Sequence, residues 1–151
     1  MVDELGLPRL ERVLAAFPRL VFLAHSQVFW AEISKDVTEE SRGGYPPGPV
    51  TPGRVVELMR RYPNLHGDLS AGSGYNAISR DLVFGCAFLQ EFQDRLYFGT
   101  DIANDPQKLP IVEHFRRLHD ERRVPREVLE KVSYRNAARL LGIAVVPERP
   151  A

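Results

Sequence analysis

An α/β fold built on a parallel sheet is predicted by three observations. A helix-period apolar stripe, a tight turn, a short apolar run and a polar residue follow one another three times along the chain. The short runs are apolar at successive positions, which suits strands covered on both faces. Helical and strand patterns alternate instead of segregating, as they do in βα units.

The first unit is RLERVLAAFPRLVFLAHS. Leu10, Val13, Leu14 and Phe17 fall at helical spacing, Pro18 stops the helix, and Leu20 to Ala24 form an apolar run that ends at His25. The second is GRVVELMRRYPNLHGDLSAGSG. Val55, Leu58, Met59 and Tyr62 make its stripe, Pro63 breaks it, and a weaker strand, Leu65 to Leu69, leads to Ser70 and a glycine-rich loop. The third is FGCAFLQEFQDRLYFGTD. Phe88, Leu89 and Phe92 continue a helix face, Gln93 and Asp94 turn, and the strand Leu96 to Phe98 runs on to Asp101.

Between the first two units, residues 35–53 hold four glycines and four prolines. This reads as a long irregular loop, a feature that in compact domains tends to be functional or mobile. The C-terminal part is helical. Ile111, Phe115 and Leu118 form one stripe, and Pro125 opens a short helix with Val128, Leu129 and Val132 inward. A last helix, Tyr134 to Leu141, is capped by Gly142, and the tail VVPERPA is expected to fray.

Bulk composition narrows the function classes. The 151 residues suffice for one domain with a real core, and 44% apolar with 26% charged residues is a globular balance. Twenty basic and twenty acidic residues cancel, so no net field recruits nucleic acid or an anionic membrane. The single cysteine, Cys86, excludes a disulfide framework and suits a reducing compartment. No apolar run is long enough to span a bilayer, and the start MVDELGLPRLERV lacks a signal core, so a cytoplasmic protein is expected.

In parallel sheets, ligands sit beyond the carboxyl ends of the strands. His25, Ser70 and Asp101 all fall there, which groups them as candidate site residues. Imidazole and carboxylate are ligands of a catalytic metal whose bound water becomes the nucleophile. Taken one at a time, the same residues read equally as a hydrogen-bonded structural histidine and a turn-forming aspartate. Ser70 has no His and Asp arranged as a triad in the sequence, and Gly72 and Gly74 lack the context of a nucleotide-binding loop.

Taken together, FPRLVFLAHS, YPNLHGDLSAGSGYNAISRD, RLYFGTDI and NAARLLGI resemble the C-terminal half of amidohydrolase-related proteins. The resemblance is to the branch that includes aminocarboxymuconate-semialdehyde decarboxylase-like enzymes and metal-dependent hydrolases, and it covers about Leu7 to Ile143. It implies a (β/α)8 barrel, of which this chain would hold approximately strands 6 to 8 with their helices, a partial TIM barrel. It further implies a divalent metal, zinc by preference, bound by His25 and Asp101, with Asp101 also the general base toward the attacking water. The implied chemistry is hydrolysis of a C–N or C–O bond, or non-oxidative decarboxylation, of a small-molecule substrate.

The family pattern also asks for a His-x-His pair and a further histidine, and the chain has only His25, His66, His114 and His119. His66 reads as structural or solvent-facing, and His114 and His119 as surface residues of a charged helix. A complete barrel needs about 250 residues. The expectation is therefore that residues 1–151 form a single C-terminal fragment of such a barrel, inactive alone. Its two open strand edges would favour a homo-oligomer or a complementary half-barrel chain. A non-catalytic remnant, or an interaction module that pairs through those edges, is the alternative.

Three more side chains are candidates for substrate contact. Trp30, with Phe29, either lines a pocket or covers the barrel mouth. Asn76 lies near the end of the second strand with Ser73. Arg80 either clamps a substrate carboxylate or bridges Asp81 or Glu32.

Overall fold

The computed structural model describes residues 3–145. The expected tail from residue 146 onward lies outside the described residues.

Three parallel strands stand at the centre, in the order β1 (Phe22–Ala24), β2 (Leu65–Asp68) and β3 (Leu96–Tyr97). Phe22 pairs with Leu65, Ala24 with Gly67, and Gly67 with Leu96. Helix α1 (Pro8–Ala16) precedes β1, and a short α2 (Gln27–Ala31) follows it. Helix α3 (Arg54–Arg61) leads into β2, and α4 (Ala71–Ser79) and α5 (Leu82–Glu91) connect β2 to β3. Then come α6 (Pro110–Asp120), α7 (Arg126–Glu130), a π-helical turn (Lys131–Arg135) and α8 (Asn136–Leu141). All three predicted helix–strand units are present. Residues 35–53 form the expected loop, tethered by a bridge between Ser34 and Pro52.

Local chemistry explains the boundaries. Pro8 and Pro110 sit in the first turns of α1 and α6, where the missing N–H has no helical partner to lose. Asp81 caps α5 by accepting the Phe84 N–H at 3.0 Å and also accepts the Val50 N–H, pinning the long loop. Asn64 gathers the carbonyls of Leu14, Phe17 and Leu20 onto one amide group, so the end of α1 and the turn into β1 lie against the start of β2. Gly142 closes α8 in the left-handed region at φ 67°.

One predicted boundary disappears. The two C-terminal helices run together, α7 passing through the π turn into α8 without a break. The extra residue of a π turn leaves carbonyls unclaimed by the helix. That of Val132 accepts the Phe98 N–H at 2.9 Å, fastening the helix to the end of β3. Asn136, fully buried, donates to the carbonyls of Gln93 and Leu96.

The sheet is covered unequally. Leu65, Gly67 and Leu96 join a core with Trp30, Val55, Met59, Phe88 and Phe92. The other face carries Leu23, His66, Asp68 and Tyr97. Leu23 is 46% exposed there, and Leu20 and Val21 are exposed beside it. The expectation that β1 is covered on both faces is therefore corrected: it is an edge strand with one open face. Just beyond the strand ends, His25 and Ser70 lie on this same side, in contact with Asp68.

His114 corrects a second expectation. It is not a surface residue: it is buried on the inner side of α6, edge-on to Tyr75 at 5.7 Å, and its Nε2 has no hydrogen-bond partner among the described residues. Burial pushes its pKa below the ordinary 6.5, and the positive Arg117 pushes in the same direction. His66 is lowered for the same first reason, with Arg95 adding to it. Both rings are held neutral in the folded chain and take up protons more readily when unfolded. Their contribution to stability is thus complete above pH 6.5 and declines as pH falls below it. Replacing His114 by Leu is expected to flatten this decline. It also removes an unsatisfied buried nitrogen, a group whose burial costs about 1–3 kcal/mol. Urea midpoints of the two proteins between pH 7.5 and 5 measure both effects, and parallel pH curves would refute the assignment.

Candidate active site

The carboxyl ends of β1 and β2 bring three polar side chains into contact. His25 Nδ1 lies 3.2 Å from Asp68 Oδ2 and 3.2 Å from Ser70 Oγ. Ser70 Oγ donates to Asp68 Oδ2 at 2.8 Å, and the Ser70 N–H donates to Asp68 Oδ1 at 2.9 Å. Asp68 is anchored from behind as well, where the Trp30 indole N–H donates to its carbonyl at 2.9 Å. Only glycine fits at position 67, because a β-carbon there would stand 2.7 Å from the Trp30 ring.

Asp101 reaches the same region by another route. Strand β3 ends at Tyr97, so Asp101 is not a strand terminus; it sits in a left-handed turn at φ 53°, a conformation that aspartate tolerates better than most residues. Gln107 braces the turn, donating to the Asp101 carbonyl and accepting the Ala103 N–H. The Asp101 side chain is exposed. A pocket of about 350 Å³ joins Asp101 to Asp68 and Ser70, with Leu23, Tyr97 and Leu140 on its walls. His25 does not line this pocket and is tied to it through Asp68 and Ser70.

The remaining candidates lie elsewhere. Trp30 is 2% exposed and sits in the core, edge-on to Phe29 and Phe88. Asn76 and Arg80 both donate to the Pro46 carbonyl, at 3.3 and 2.8 Å, and so hold the long loop against α4. Neither proposed bridge to Arg80 forms. Glu32 pairs with Arg42, and Asp81 is occupied as a cap. His66 shares a 2.7 Å hydrogen bond with the Tyr97 hydroxyl and stacks on its ring, so of the two expected readings, structural or solvent-facing, it takes the structural one. His119 is exposed beside Asp120.

Asp68 is the residue that sequence reasoning passed over. Its signal is periodic: positions 66, 68 and 70 are polar while 65, 67 and 69 are apolar or glycine. A half-polar strand reads that way when its polar side faces a site.

Among the described residues, no group of three or more His, Cys, Asp and Glu side chains is placed to hold a metal ion. The residues present therefore do not fit a complete metal centre. What they do offer is an imidazole oriented by a carboxylate, and a second carboxylate across a pocket. Among the described residues, no helix is long and apolar enough to cross a membrane.

A three-stranded parallel sheet with helices between its strands, and acid, imidazole and hydroxyl groups gathered at its carboxyl end, defines an α/β protein. The family model for amidohydrolases matches residues 2–143, nearly the whole sequence, and the chain belongs to that family. No curated protein and no solved structure matches the chain.

Proposed function

We propose that this chain supplies part of the active site of a metal-dependent amidohydrolase-type enzyme acting on a small molecule. Its three strands are the closing units of a (β/α)8 barrel, in the order six, seven, eight. The observation that carries this reading is the polar row at the carboxyl end of one sheet face. His25, Asp68 and Ser70 are in mutual contact there, and Asp101 faces Asp68 and Ser70 across the pocket. His25 offers Nε2 as a ligand, and Asp101 offers a carboxylate as ligand and proton acceptor. Further ligands come from outside the described residues. The reaction is hydrolysis of a C–N or C–O bond, or loss of CO₂ from a small acid.

The second reading has its own support. Among the described residues, strand β1 pairs on one side only, and Leu20, Val21 and Leu23 beside that edge are exposed. A further copy or a complementary chain would cover them and extend the sheet.

Zinc content and hydrolysis of a small amide and ester panel test the first reading on the protein isolated in its native assembly. Zinc in fixed ratio, lost on His25→Ala, is expected, as is a fall of about 10²–10⁴ in turnover on Asp101→Asn. Zinc and turnover indifferent to both changes would overturn it. Light scattering tests the second reading, which a clean monomer at high concentration would exclude.

A further inference from the structure

We propose that Asp68 is the positioning residue that fixes the tautomer of His25 and turns its Nε2, unprotonated, toward the open face. A neutral imidazole carries one proton, and whichever group meets one nitrogen decides the state of the other. At His25 Nδ1 stand Asp68 Oδ2 and Ser70 Oγ, each at 3.2 Å. The carboxylate can only accept. Ser70 has committed its hydroxyl proton to Asp68 Oδ2, so its oxygen faces the ring as an acceptor too. Both neighbours therefore call for a proton on Nδ1, which leaves the lone pair on Nε2.

The carboxylate is itself prevented from rotating. Oδ1 is held by the Ser70 N–H at 2.9 Å and Oδ2 by the Ser70 hydroxyl at 2.8 Å. The Asp68 backbone is held by Trp30 Nε1 at 2.9 Å. This is the arrangement by which a second carboxylate orients a histidine used as a ligand or as a base.

The geometry makes a signed prediction for Asp68→Asn, a substitution of almost the same shape. The Ser70 N–H can only donate, so it must keep the amide oxygen in the Oδ1 place. The amide NH₂ then falls in the Oδ2 place and donates to His25 Nδ1. That nitrogen must now hold the lone pair, and the proton moves to Nε2. Ser70→Ala keeps the carboxylate and should leave the tautomer as it is.

The inference rests on reading this face as the reactive one, but its test needs neither metal nor substrate. Long-range ¹H–¹⁵N correlation of the metal-free protein reports which ring nitrogen is protonated. It is recorded well above the ordinary imidazole pKa of about 6.5. His25→Ala assigns the signals, and far-UV circular dichroism checks the fold of each variant. The expected result is an unprotonated Nε2 in the natural protein and in Ser70→Ala, and a protonated Nε2 in Asp68→Asn. A protonated Nε2 in the natural protein, or an unchanged tautomer in Asp68→Asn, would overturn the proposal. Either result leaves the hydrolase reading to be decided separately by zinc and turnover.

Discussion

Truncating Trp30 to alanine is expected to destabilise the chain by about 3–5 kcal/mol, the range for emptying an aromatic site in a packed core. The ring is 2% exposed, lies edge-on to Phe29 with centroids 4.9 Å apart and to Phe88 at 6.2 Å, and covers Gly67 of the central strand. Its N–H also satisfies the Asp68 carbonyl. Domains of this kind are stable by only about 5–15 kcal/mol, so the loss takes a large share of the total. Urea unfolding followed by far-UV circular dichroism is the measurement, because the substitution removes the only tryptophan and with it the fluorescence probe. Trp30→Phe keeps most of the apolar area and loses the hydrogen bond, so it should lie between the two. Were Trp30 a pocket wall, the alanine variant would unfold at nearly the natural midpoint, and that outcome would exclude the core assignment.

Replacing Glu32 by glutamine is expected to be comparably severe, about 3–5 kcal/mol. Glu32 and Arg42 are 1% and 6% exposed, and their charged atoms meet at 2.6 Å. The other Glu32 oxygen accepts the Gly6 N–H at 2.8 Å, while Arg42 donates to the carbonyls of Asp3 and Glu4. The pair thus staples the N-terminal segment to α2 and to the long loop. Burial raises the Glu32 pKa even with a guanidinium beside it, which shows how dearly the carboxylate is desolvated. Removing the Glu32 charge leaves buried Arg42 with only Glu39, a largely exposed carboxylate at 3.2 Å, as counter-charge. Removing both, as Glu32→Leu with Arg42→Met, should restore much of the loss, since a well-packed apolar pair can replace a buried ion pair. The double-mutant cycle by chemical denaturation decides it. A single variant of natural stability, or a double variant worse than the sum of the singles, would contradict this account.

Glu32 also illustrates what a sequence leaves open. Reading along the chain made Arg80 its possible partner, yet Arg42, ten residues further on, folds back to it from within the irregular loop. Nothing periodic marks such a contact. His114 is similar: neighbours rich in Arg and Glu suggested a solvated face, but the helix turns that position inward onto Tyr75 of α4. By contrast, the helix stops at Pro18 and Pro63, the strands at residues 22–24, 65–68 and 96–97, and the Gly142 cap all follow from short-range rules. A proline removes a donor within its own turn, and an apolar stripe reveals its period within a dozen residues.

The candidate site divides along the same line. That His25, Ser70 and Asp101 follow strands was legible, because strand ends are local features and the carboxyl end of a parallel sheet is where polar residues gather. That Asp68 links His25 to Ser70 was not. Ser70 and His25 are 45 residues apart in sequence, and their 3.2 Å contact exists only because the register Ala24 to Gly67 sets the two strand ends side by side. The sequence alone determined three helix–strand units and the polar residues that end them, because each is decided by the chemistry of a few neighbouring residues. The tertiary structure decided which of those residues touch, that Trp30 supports the site from the core without facing it, and that strand β1 stays open on one face. Such contacts depend on strand order and register, which no single segment contains.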